Sequence, residues 1–106
     1  MRPPPNDATT ALLRAICRNL VRFDPVVEEV RSRSWTSATF VGARHELWLL
    51  LRGQGTKAAA DRLSESLDVR EFNLRGHILA DISVVASEPV EDGVRLRVEA
   101  LTVEDA

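Results

Sequence analysis

Cysteine occurs once in the 106 residues, lysine once and histidine twice. The single Cys17 excludes an intrachain disulfide and fits a reducing, cytoplasmic compartment. Two histidines leave a metal site short of donors, since such sites normally take three or four N, O or S ligands. Long apolar runs are missing too: the longest stretch, Leu47 to Leu51, falls well below the roughly 18 residues of a membrane span. Met1 to Asp7 carries Pro3, Pro4 and Pro5 without a hydrophobic segment, so it reads as a short disordered or extended tail rather than a secretory signal. Thirteen arginines beside the lone Lys57 are a bias typical of a GC-rich bacterial genome.

What remains is ordinary globular composition, 44% hydrophobic and 28% charged, which argues for one domain over residues 8–106. The formal net charge is −2, so no polyanionic partner is demanded by the total. The charge is unevenly distributed, positive up to Lys57 and negative after it. That dipole could orient an encounter with a partner but identifies none.

Periodicity sets out the elements. Asp7 is placed to cap a helix whose apolar side holds Ala8, Leu12, Ala15, Ile16, Leu20 and Phe23, widened by Leu13 and Cys17. Pro25 stops it, because the residue before a proline is pushed out of the α region. Val26 to Val30 reads either as a further short turn or as extended chain. Trp35 to Val41 and His45 to Arg52 are rich in strand formers and flank Gly42-Ala43, which predicts a hairpin. Gly53 and Gly55 break the chain. Thr56 is then a good N-cap for a second helix, from Lys57 to about Leu67, with a thin stripe of Ala59, Ala60, Leu63 and Leu67. The last third alternates: Ile78, Ala80, Ile82 and Val84 face one way, as do Val94, Leu96, Val98 and Ala100, with Arg95, Arg97 and Glu99 turned outward. Pairing Val84 with Leu96 makes every inward pair apolar, and Pro89 with Asp92-Gly93 supplies the turn. The expected fold is α+β: helix, β-hairpin, helix, β-hairpin, with a four-stranded antiparallel sheet against two helices.

An antiparallel sheet covered on one side usually shows water a polar second face. Here that face is expected to carry Trp48, Leu50, Leu79, Val85, Leu101 and Val103. Either the helices divide between the two faces, or the face meets a second copy or another protein. A homodimer through the sheet is the favoured expectation, small C2 dimers being the commonest oligomers.

Polar candidates are sparser. Arg44, His45, His77 and Asp81 could surround a ligand pocket near the strand ends, although His77 and Asp81 stand about 13 Å apart along one strand. Against that, the histidines could simply cap strand ends, with Asp81 pairing to Arg97 or Arg95. Cys17 lies on the apolar arc of its helix, where a thiol behaves as a small hydrophobe. Arg14, Arg18 and Arg22 form a ridge, open to extension by Arg31 and Arg33, that could hold phosphates. The acidic total and the lack of interleaved aromatics favour a solvated helix face over a nucleic-acid site. Gly53-Gln54-Gly55-Thr56-Lys57 has the strand-to-helix setting of a phosphate loop but neither its spacing nor its Lys-Thr order. The apolar second face makes a non-enzymatic module that self-associates through the sheet, without cofactor or metal, the favoured expectation. The alternatives are a small-molecule-binding protein or enzyme with a pocket near His45, His77 and Asp81, and nucleic-acid binding through the Arg14, Arg18 and Arg22 ridge.

Overall fold

The computed structural model describes residues 8–105; Asp7 as a cap and the expected tail therefore lie outside the described residues. The order is α1 (Ala8–Arg18), a 3-10 turn (Val21–Phe23), β1 (Val26–Thr36), β2 (Val41–Arg52), α2 (Thr56–Ser66), a second 3-10 turn (Val69–Glu71), β3 (His77–Val90) and β4 (Gly93–Glu104). This is the α+β arrangement of two helices and two hairpins. The sheet runs β1-β2-β4-β3, antiparallel throughout. Each hairpin contributes one central strand and one edge.

Alternation is strict where a strand has neighbours on both sides. In β2, His45, Leu47, Leu49 and Leu51 are buried; in β4, Val94, Leu96, Val98, Ala100 and Thr102 are. These residues project to the same side, where Leu12, Ile16 and Leu20 from the first helical segment and Ala60 and Leu63 from α2 join them in one core. Both helices thus cover one face. Their apolar stripes are as the spacing predicts, and Ala59 and Ala60 let α2 lie close to the sheet. Thr56 is the first residue of α2 rather than its cap; Gly55 takes that place with a φ of 82°.

The edge strands depart from the sequence reading in two places. The first strand begins at Val26, not Trp35, and the hairpin turns at Ser37 to Phe40, where the Ser37 amide donates to the Phe40 carbonyl at 2.8 Å. Gly42, expected in the turn, is inside β2, opposite Trp35. In β3, register shifts at Ala80 and Val85 offset the pairing. Val84 meets Val98 rather than Leu96, Ile82 meets Ala100, and Leu79 meets Thr102. A bulge adds one residue and reverses the side on which later residues project. Leu79, expected on the second face, consequently lies in the core at 7% exposure.

Candidate functional site

With both helices on one side, the other side of the sheet is uncovered by any described segment. Its residues follow from the register. One row across the sheet is Val26, Leu50, Arg95 and Glu88; the next is Glu29, Trp48, Arg97 and Ala86. Then come Arg31, Glu46, Glu99 and Ser83, followed by Arg33, Arg44, Leu101 and Asp81, and last Trp35, Gly42, Val103 and Ile78. Of the six apolar residues expected here, Trp48, Leu50, Leu101 and Val103 are present and half-buried. Val85 is the extra residue of the second bulge, 44% exposed on the outer strand.

This face is a lattice of charge around an aromatic centre. Trp48 has two guanidinium groups against its ring, Arg31 at 5.2 Å and Arg97 at 5.4 Å from the centroid. Such contacts attract through the ring quadrupole. Arg97 also bonds Glu46 and Glu99, and Arg31 bonds Glu29. Arg95 spans β4 to β1 to reach Glu28 at 2.7 Å and lies 3.6 Å from Glu88. The Arg95 hydrogen bond holds the Glu28 carboxyl below its usual range, and the bond to Glu46 raises Arg97. The indole Nε1 of Trp35 and Nε of Arg97 are buried with no hydrogen-bond partner among the described residues.

Three charges on the face stand outside this lattice. Arg33 and Arg44 are directly opposite one another on β1 and β2, a like-charge pairing that destabilises a sheet. Neither has an ion pair among the described residues, and neither does Asp81, which shares their row across Leu101. The three border a concavity of about 710 Å³, with Ser83 and Glu99 alongside. The expected pairing of Asp81 with Arg95 or Arg97 does not form, because the bulge at Ala80 sets Asp81 opposite Leu101 and both arginines are engaged elsewhere.

Of the two histidines, His45 is among the residues that line this concavity and His77 is not. His45 is no strand cap: it is interior to β2, 2% exposed, on the helix side. Its Nδ1 is 2.8 Å from Thr9 Oγ1 and 3.2 Å from Ser32 Oγ, and Nε2 is 2.9 Å from Thr102 Oγ1. The ring therefore ties the start of α1 to β1 and β4. His77 begins β3, with Nδ1 3.1 Å from the Arg75 carbonyl, and β4 separates its strand from His45's. Of the four ligand candidates, Arg44, His45 and Asp81 line the concavity, while only Arg44 and Asp81 belong to the row on the open face.

Arg14 and Arg18 are exposed on α1, and Arg22, in the 3-10 turn, sits 5.7 Å from the Phe23 ring centroid. Arg31 and Arg33 belong to the opposite face of the sheet, so they do not extend this ridge. Lys57 lies 3.4 Å from Asp61 on its own helix, and the Thr56 hydroxyl donates to the Gly53 carbonyl; this is the hydrogen bonding of a strand-to-helix turn. Burial pushes the Cys17 thiol above its ordinary pKa, the opposite of what a nucleophile requires. The described residues hold no group of three His, Cys, Asp or Glu placed for a metal, and no helix among them is long and apolar enough to cross a membrane.

Alternation in β4 places Arg95, Arg97 and Glu99 away from the core, as found, but Arg31 and Glu46 were not legible as members of the face. The partners of the β4 charges could be named only once β1 was placed. No protein family, curated protein or solved structure was found to match this chain.

Proposed function

We propose that this protein is a non-enzymatic interaction module that associates with a second copy of itself through the open face of the sheet. The observation that carries the reading is the placement of both helices on the other face, leaving Trp48, Leu50, Leu101 and Val103 without a covering layer among the described residues. Trp and Arg are the residues most enriched where binding energy concentrates, and here they are adjacent at the middle of the face. Four strands about 4.8 Å apart, each about twelve residues long, present roughly 700 Å². A stable complex buries about 800 Å² per partner. The ion pairs already formed within the face limit the number of charges that association leaves unpaired. A reducing, cytoplasmic, bacterial setting belongs to the same reading.

Sedimentation equilibrium across micromolar to submillimolar concentrations tests it. A dimer that Trp48→Ala weakens by about tenfold or more, with an unchanged circular dichroism spectrum, is the expected result. A wild-type chain that stays monomeric over the whole range overturns the proposal.

A further inference from the structure

The charges left unpaired on the open face also define how two copies would meet. We infer that the second copy docks about a two-fold axis parallel to the strands, between β2 and β4, so that Arg33 of each copy pairs with Asp81 of the other. This rests on the self-association proposed above and specifies its geometry.

Two face-to-face sheets in a symmetric dimer can be related by an in-plane axis along the strands or across them. An axis along the strands keeps each row at its own height and exchanges its ends, setting β1 over β3. Arg33 then lies over Asp81, and Arg44 over Leu101 with the same carboxylate next to it. Because the axis repeats every contact, the two aspartates meet four arginines that have no ion pair among the described residues of their own chain. Trp35 comes over Ile78, which is 53% exposed, and Trp48 over Arg97. An axis across the strands, centred on the Arg31 row, instead puts Arg31 on Arg31 and leaves Asp81 over Ala86. Only the first arrangement sets a cation directly over Asp81. The second sets Arg33 over Glu29, a carboxylate already bonded by Arg31, and places Arg97 over Leu101, beside Asp81 but already bonded to Glu46 and Glu99.

Reach supports the pairing. Packed sheets lie about 10 Å apart, and an extended arginine facing an aspartate spans about that distance. The same axis sets Glu46 near Glu99 of the second copy. Those carboxylates are already bonded by Arg97 within each chain, and this local repulsion is what the outer Arg33–Asp81 contacts must outweigh.

Charge reversal tests the geometry in the full chain. Arg33→Asp and Asp81→Arg each convert two symmetric attractions into repulsions, so each is expected to raise the dimer Kd by about tenfold or more. The double variant R33D/D81R restores the pairing in the opposite sense and is expected to return to within about threefold of wild type. Misfolding of the first single variant is not the expected cause of its effect, since R33D removes a like-charge opposition with Arg44. A dimer that Trp48→Ala weakens but that the double variant fails to rescue overturns this geometry while leaving self-association in place. A wild-type monomer overturns both. In that case a phosphate titration followed by NMR, with perturbations at Arg33 and Arg44 that R33D abolishes, would assign the pair to a small anion instead.

Discussion

The indole of Trp35 lies directly over Gly42. A Cβ built at Gly42 would come within 2.7 Å of Trp35 Cζ2 and 2.1 Å of the Thr102 carbonyl oxygen. Glycine is required there for space, since a side chain would push against both an edge strand and a central one. Gly42→Ala is expected to destabilise the fold by about 2–3 kcal/mol and to lower Tm by about 10 °C or more. Thermal unfolding followed by circular dichroism measures this; an unchanged Tm would mean that Trp35 does not pack over β2.

His45 provides a second stability test. Thr102→Val removes the hydroxyl from Nε2 at nearly constant volume in a site with no solvent exposure. Losing a hydrogen bond to a buried polar group costs about 1–3 kcal/mol, readable as a lower urea midpoint at constant m-value. Hydrogen exchange at the start of α1 should quicken in the same variant, because the ring links Thr9 to the sheet.

Asp68 gives a pH marker away from the sheet. The Arg70 side chain, with help from the Arg70 backbone amide, lowers its carboxyl pKa to about 2. A carboxyl depressed in the folded state adds stability that is fully present above its unfolded value of about 3.9 and lost as pH falls through about 2. NMR titration of the Asp68 side chain should find a midpoint near 2 in wild type and a higher one in Arg70→Ala. Arg70 is exposed and Asp68 partly so, and high salt should therefore narrow the difference.

Cys17 should be a poor nucleophile. Burial raises its pKa, so the thiolate fraction at pH 8 is below that of an exposed cysteine. Alkylation by iodoacetamide at that pH is expected to run at least severalfold slower in the folded protein than in urea. Equal rates would place the thiol in solvent.

The parts of the fold legible in the sequence were those bounded by burial on both sides. Leu47, Leu49 and Leu51 in β2 and Val94, Leu96 and Val98 in β4 repeat every second residue because each such strand has paired neighbours and a helix layer beneath it. The stripe of Leu12 and Ile16 is equally plain. β1 was legible only at its two ends, Val26 to Val30 as one of two readings and Trp35 onward, because an edge strand needs no apolar alternation: Glu28, Glu29, Arg31 and Arg33 meet water, and Gly42 suggests a turn until Trp35 is known to cover it. The second face was only partly legible. Trp48 and Leu50 could be assigned to it by alternation, whereas Leu79 could not be excluded from it without the bulge at Ala80.

Sequence alone determined the two amphipathic helices, the two hairpins and the side of β2 and β4 that enters the core, because side-chain periodicity is a local property of the chain. Tertiary structure decided that both helices share one face, that Arg97 serves Glu46 and Glu99, and that Arg33, Arg44 and Asp81 share a row without ion pairs among themselves. Those relationships depend on strand order and register, which arise from contacts between residues as far apart as Glu28 and Arg95, and no local pattern encodes them.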